Sequence, residues 1–142
     1  MRRRFLAFVI AIAGLAQTPA SAADMALVVN GVANAKGLVM IAVYGGADTF
    51  RKDGSEIAAI RLKSRKGGVK VTLNDIPAGT YAVAVYHDEN ADQKLDANML
   101  GIPSEGYGFS NDARGVMGPP SFEDAAVTLR DGAATVTIEL QY

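Results

Sequence analysis

Apolar and polar residues alternate along several short segments of this chain, and that period of two most constrains its fold. Successive side chains of a β-strand point to opposite faces, so a strand with one buried and one wet face shows this alternation. The segments therefore predict β-strands rather than helices. Their apolar residues are Val69, Val71 and Leu73; Val127 and Leu129; and Val136, Ile138 and Leu140.

Two other segments are apolar at every position. They read "LVMIAVY" at 38–44 and "YAVAVY" at 81–86. Such runs are typical of strands that are covered on both faces, either by a second layer or by a long loop. We expect these two strands to form the centre of the core.

Turn-forming pairs separate the apolar segments, and Asp131-Gly132 is the strongest hairpin signal among them. The spacing predicts an all-β domain, a single antiparallel Greek-key β-sandwich of about seven strands with one long ordered loop. A small barrel is the structural alternative. Any helix is expected to be short and confined to 47–53. The predicted strands are 25–32, 37–45, 57–63, 68–74, 79–87, 124–130 and 133–141.

The first 22 residues have the features of a cleavable export signal. Three arginines precede an apolar run at 5–16, and the small residues Ala20, Ser21 and Ala22 offer a cleavage point. The run is shorter than the roughly 20 residues that span a bilayer. We therefore predict a signal peptide at 1–22, a β-sandwich domain at 23–142, and a periplasmic or secreted location without an integral membrane segment.

Charge and cysteine content exclude several classes of protein. Without its first 22 residues the chain keeps 11 of its 14 Lys and Arg against 15 Asp and Glu, so its net charge goes from -1 to -4. This acidic balance argues against nucleic acid or anionic lipid as a partner. The absence of cysteine excludes disulfides, thiolate metal sites and a cysteine nucleophile.

The segment 88–123 is too long and too irregular for an ordinary connection. Connections of more than about 12–15 residues without regular structure are usually functional or disordered. This one is rich in glycine and proline but also carries nine large apolar residues, so we expect it to be ordered and to pack over the sandwich. These residues are Leu95, Met99, Leu100, Ile102, Tyr107, Phe109, Val116, Met117 and Phe122.

The segment begins with "HDENADQKLD" at 87–96, which places oxygen-bearing groups at every second position. Calcium takes six to eight oxygen ligands, and calcium loops supply them from alternating positions. The predicted metal ligands are Asp88, Asn90, Asp92, the Lys94 carbonyl and Asp96.

Two positions depart from the full calcium-loop pattern. The sixth place normally takes Gly and is Gln93, and the twelfth normally takes Glu and is Met99. Asn98, Glu105 or a backbone carbonyl could complete the site. The alternative is a solvated turn, because turns favour acidic and amide residues.

Other residues in the segment suggest different chemistry. His87, the single histidine, and Glu105 could act as acid or base in an envelope-associated hydrolase. Tyr107, Phe109, Asn111 and Arg114 could form a surface for a carbohydrate or peptide ligand. The alternative is that the two aromatic rings anchor the loop onto the sandwich.

Three stretches, "YHDENADQKLD", "LGIPSEGYGFSNDARG" and "GPPSFEDAAVTL", are similar to the hallmark segments of the bacterial domain of unknown function 2141 family. The resemblance covers the whole chain after the signal. It implies an exported protein with a transthyretin-like (prealbumin-like) sandwich, and no established activity comes with it. The family usually has Gly where this chain has Gln93.

The sequence therefore predicts a non-enzymatic binding or structural module, with calcium as a cofactor of the acidic loop and a monomer as the expected state. No catalytic residue is assigned. Alternatives are the hydrolase and a metal-free carbohydrate- or peptide-binding module. His87 distinguishes the enzyme from the module, because a catalytic histidine lies in a cleft beside a serine or a carboxylate, whereas a structural one is buried against backbone.

Overall fold

Eight β-strands make up about half of residues 21–142, the part of the chain that the computed structural model describes. The predicted signal peptide lies outside these residues, apart from Ser21 and Ala22. The strands are β1 (Ala22–Val32), β2 (Leu38–Tyr44), β3 (Ala58–Lys63), β4 (Gly67–Pro77), β5 (Gly79–Asp88), β6 (Tyr107–Phe109), β7 (Val127–Leu129) and β8 (Gly132–Glu139).

Helical structure is limited, within the described residues, to a 3-10 turn at Ser110–Asp112 and one short α-helix, α1 (Phe122–Ala125). The prediction that any helix would be confined to 47–53 is wrong. That segment forms turns around the Gly46 carbonyl, which accepts from the N–H groups of Thr49 and Phe50. Neither helix of the described part has the length and apolar character needed to cross a membrane.

The strands form two packed sheets, which confirms the predicted all-β sandwich. One sheet has the order β4-β1-β8, and the other has the order β3-β2-β5-β6, with β7 also paired to β5. All pairs are antiparallel except β1 with β8, which run parallel. Strand β6 was not predicted, because a three-residue strand is too short to show a period of two.

The Asp131-Gly132 hairpin was a wrong prediction. Strand β7, before this turn, pairs with β5 in one sheet, while β8, after it, pairs with β1 in the other. The turn therefore carries the chain from one sheet to the other. Turn chemistry specifies a reversal of the backbone, and the strand partners depend on contacts that are distant in sequence.

The main core lies between the two sheets and takes side chains from every described strand except β6. Its fully buried members include Met25, Leu27 and Val29 of β1 and Ile138 of β8, which face Val39, Val43 and Val83 of the other sheet. The alternating segments supply one side chain in two to this core, as predicted.

A second, smaller core covers the outer face of the five-stranded sheet. Here Phe50, Phe109 and Phe122 pack edge to face, with ring centroids 6.1 Å and 5.9 Å from Phe50, over Ala82 of β5 and Ala125 of α1. The strand β5 is therefore buried on both faces. This confirms the interpretation of the uniformly apolar run at 81–86.

The long segment packs over the sandwich only in part. Tyr107, Phe109 and Phe122 join the second core, but six other apolar side chains point to solvent, which corrects the prediction. Three of the six lie in residues 97–103, which form a hairpin closed by the Ala97–Pro103 bridge. Within it, Asn98 Oδ1 accepts from the N–H groups of Leu100 and Ile102. The exposed residues are Leu95, Met99, Leu100, Ile102, Val116 and Met117.

The two sides of the sandwich differ. On one side Tyr107 of β6 and Gln141, just after β8, exchange two backbone hydrogen bonds of 2.9 Å and join the sheets. On the other side β3 and β4 are the end strands of their sheets. The sandwich is thus partly closed on one side and open on the other. The barrel that we considered as an alternative would be closed on both sides.

Ser110 holds the second core on β5, and its replacement tests that attachment. Its buried hydroxyl accepts from Val83 N–H and donates to the Ala125 carbonyl. We expect Ser110→Ala to lower the free energy of unfolding by about 2 kcal/mol, because both backbone groups lose their partner. Ser104→Ala, at an exposed position, should change it by less than about 0.5 kcal/mol. Urea unfolding measures both, and equal effects would contradict this role.

Candidate functional site

The acidic loop begins at Asp88, the last residue of β5, whose side chain is completely buried. Its Oδ1 accepts from Asp92 N–H at 3.1 Å, and its Oδ2 accepts from Gln93 N–H at 2.9 Å. The strand therefore places a carboxylate under the loop, and the loop folds around it. A buried carboxylate needs such donors, because burial without them is costly.

The next two predicted side-chain ligands, Asn90 and Asp92, also accept hydrogen bonds from backbone N–H groups further along the loop. Asn90 Oδ1 accepts from Asp92 N–H at 3.1 Å, and Asp92 Oδ1 accepts from Lys94 N–H at 2.9 Å. Gln93 has a φ of 68°, the left-handed conformation for which glycine is the usual choice. The chain thus makes the turn that a calcium loop makes at its sixth place, although Gln stands there.

Glu105 closes the loop from the opposite side. It is 5% exposed, and its two carboxylate oxygens accept from Glu89 N–H at 2.9 Å and Asp96 N–H at 3.0 Å. It therefore fixes both ends of the acidic loop at once. The sequence suggested Glu105 only as an additional ligand or as an acid or base, because Glu105 lies nine positions after Asp96.

The turn before β2 also supports the loop. A Cβ on Gly37, which has a φ of 64°, would lie 1.8 Å from the Asp88 carbonyl oxygen, so only glycine fits this close approach. Nearby, Asn34 Nδ2 donates to Glu89 Oε2 at 2.9 Å. The start of the loop is thus fixed between this turn and Glu105.

The side chains of the predicted calcium ligands do not all point to one common position. Asn90 Nδ2 donates to Asp96 Oδ2 at 2.8 Å, so these two side chains bond to each other. Within residues 21–142, no three side chains of His, Asp or Glu form a group that could hold a metal ion. A calcium site here would depend on oxygens outside that set, from the Asn90 amide and the Lys94 carbonyl.

The loop carries a concentrated negative charge. Residues 88–105 contain five carboxylates and one cation, Lys94. The neighbouring Tyr86 hydroxyl responds to it: burial raises its pKa most, and the charges of Asp88, Glu105 and Asp92 raise it further. The electrostatic potential at this end of β5 therefore favours a cation.

His87 is completely buried and bonded on both sides. Its Nε2 lies 2.8 Å from the Lys36 carbonyl oxygen, and its Nδ1 lies 2.8 Å from the Tyr142 hydroxyl, which accepts from Ala33 N–H. Because a carbonyl only accepts, Nε2 carries a hydrogen. The ring thus ties β5 to the turn before β2 and to the C-terminal residue. No sequence signal pointed to Tyr142.

The four residues of the predicted ligand surface have structural partners. Tyr107 and Phe109 contact edge to face at 6.3 Å, and Phe109 is buried in the second core. Asn111 Nδ2 donates to the Ala126 carbonyl at 2.6 Å, and Arg114 donates to Gln141 Oε1 at 2.5 Å. The arrangement favours anchoring over ligand stacking.

Replacing Glu105 by glutamine tests its contact with both ends of the loop. The amide would turn an NH₂ group toward one of the two N–H donors and leave that donor unpaired. We expect Glu105→Gln to lower the free energy of unfolding by about 1–3 kcal/mol and to speed hydrogen exchange at Glu89 or Asp96. Glu139→Gln, which changes an exposed carboxylate on β8, serves as the control. Equal behaviour of the two variants would refute the contact.

Comparison with known proteins gives one result. Residues 27–137 match the family described as "Uncharacterized protein conserved in bacteria (DUF2141)". No curated protein and no solved structure matches the chain. The transthyretin-like arrangement stays a prediction. The match spans all eight strands except the ends of β1 and β8, and the chain belongs to this bacterial family of uncharacterised proteins.

Proposed function

We propose that the protein is an exported, monomeric, non-enzymatic binding or structural module whose loop 88–96 binds Ca²⁺. The ligands would be the side chains of Asp88, Asn90, Asp92 and Asp96 and the carbonyl of Lys94. The observation that carries the proposal is the way the loop turns around Asp88, with Gln93 in the left-handed conformation. The ion would be structural.

The hydrogen bonds of the loop are compatible with an ion. Each carboxylate has about four lone-pair sites on its two oxygens, so an oxygen that accepts one N–H can also bind a cation. Binding would require the bond between Asn90 and Asp96 to open. It would also require the carboxylates of Asp88, Asp92 and Asp96 to move closer together, because within residues 21–142 they do not form a metal-holding group. Calcium prefers oxygen ligands and tolerates irregular geometry, which suits a set of carboxylate, amide and carbonyl oxygens.

The alternatives have less support. A hydrolase would need His87 within reach of substrate, whereas its ring is buried and both nitrogens are bonded. Glu105, its suggested partner, already accepts two backbone hydrogen bonds. A carbohydrate- or peptide-binding surface would need exposed aromatic rings, and Phe109 is buried.

Thermal melting of the purified protein in calcium and in chelator tests the proposal. Calcium at a hundred times its dissociation constant should add about 2.7 kcal/mol to the free energy of unfolding. Magnesium at the same concentration controls for ionic strength. Identical melting curves in millimolar calcium and in chelator would refute calcium binding.

Asn90→Asp separates a calcium loop from a solvated turn. In chelator the variant should lose about 1 kcal/mol of stability, because it replaces the bond to Asp96 by repulsion between two carboxylates. In calcium the added ligand charge should restore that loss and tighten binding. Asn74→Asp, an exposed position on β4, adds the same charge elsewhere. A loss that calcium leaves unchanged would favour the solvated turn.

A further inference from the structure

A groove of about 600 Å³ runs along the open side of the sandwich, between the end strands β3 and β4. It lies on the opposite side of the fold from the backbone pair of Tyr107 and Gln141. Its volume falls in the range of sites for small ligands, about 300–1,000 Å³. Its lining includes the aliphatic residues Val29, Leu62 and Val69 and the cations Lys63, Arg65 and Lys70.

The floor of the groove is apolar because the main core reaches the surface there. Val29 is completely buried, and Leu62 and Val69 pack against the core while remaining partly exposed. Among the described strands, none pairs with the outer edge of β3 or β4. The groove thus offers aliphatic side chains to a ligand.

The rim of the groove is cationic. Lys63, Arg65 and Lys70 line it, and residues 57–74 contain five Lys and Arg without any Asp or Glu. Within residues 21–142, one basic side chain lies within 4.0 Å of a carboxylate: His87 Nδ1 is 3.9 Å from Glu89 Oε1. The three rim cations therefore have no carboxylate partner within 4.0 Å in this part of the chain.

We propose that this groove binds a single-chain amphiphilic anion. Its aliphatic chain would lie on Leu62 and Val69, and its carboxylate or phosphate head would contact Lys63, Arg65 and Lys70. The same cations repel an identical edge on a second copy of the chain. Because the apolar floor lies inside a concave groove, a free amphiphile fits it better than a flat bilayer does.

Titration calorimetry with decanoate below its micellar concentration tests this inference, in chelator so that calcium plays no part. For a ligand of this size we expect a dissociation constant of about 1 mM or lower. Affinity should rise with chain length, by up to about fourfold for each fully buried methylene. Acetate tests the head alone, and 1-decanol tests the chain alone; both should bind more weakly than decanoate.

Two variants of matched charge locate the site. Lys63→Gln with Lys70→Gln should weaken decanoate binding about fivefold, since two exposed cations are lost. Lys52→Gln with Arg130→Gln removes the same charge at exposed positions outside the groove and should leave binding unchanged. Backbone chemical shifts should move at Gly67 and Gly68.

Several outcomes would overturn the inference. They are absence of decanoate binding, equal binding by the two double variants, and equal binding of acetate and decanoate. Binding to phosphatidylglycerol vesicles without binding to decanoate would indicate a membrane surface instead. Tighter binding of an acidic peptide, with hydrogen-exchange protection along β3 or β4, would indicate addition of a strand.

Discussion

The burial of β5 on both faces is the constraint on which the rest of the structure depends. One face packs in the main core and the other beneath Phe109 and Ala125, while its edges pair with β2, β6 and β7. The end of β5 is held as well, because its pairing with β2 extends to Asp88 and His87 N–H donates to the Gly106 carbonyl. His87 and Asp88, at that end, therefore have fixed positions, and the loop that follows is built on them.

Two buried carboxylates organise the acidic loop in place of a hydrophobic contact. Asp88 accepts from two backbone N–H groups in the middle of the loop, and Glu105 accepts from one at each end, so all four carboxylate oxygens are used. Hydrogen bonds to a charged group are stronger than neutral ones, which offsets the cost of removing the carboxylates from water. The apolar residues of the neighbouring hairpin are thus free to point outward, although their composition suggested burial.

Negative and positive charges are concentrated in two different parts of the molecule. Carboxylates concentrate at the loop after β5, and cations line the groove between β3 and β4. Neither cluster is neutralised by pairing with the other. The potential at the acidic loop is therefore negative and attracts cations, whereas the potential at the groove is positive and attracts anions.

Local patterns were sufficient for the strand class, the burial of β5 and the turn-like acidic loop, because alternation, apolar runs and turn residues act over a few neighbours. They overstated the burial of β2, in which Leu38, Met40 and Ala42 are only half-buried. They were insufficient for β6 and for the partners of β7 and β8. They also missed the contacts of Glu105 and Tyr142 with the loop and His87.

By itself, then, the sequence determined a β-sandwich with an oxygen-rich loop after a buried strand. Only the tertiary structure decided which side chains hold that loop, and that one side of the sandwich stays open as a cationic groove. The reason is physical: strand pairing and buried hydrogen bonds join residues far apart in the chain, as when Gly37 approaches Asp88 or His87 bonds to Tyr142. No local period encodes such distances.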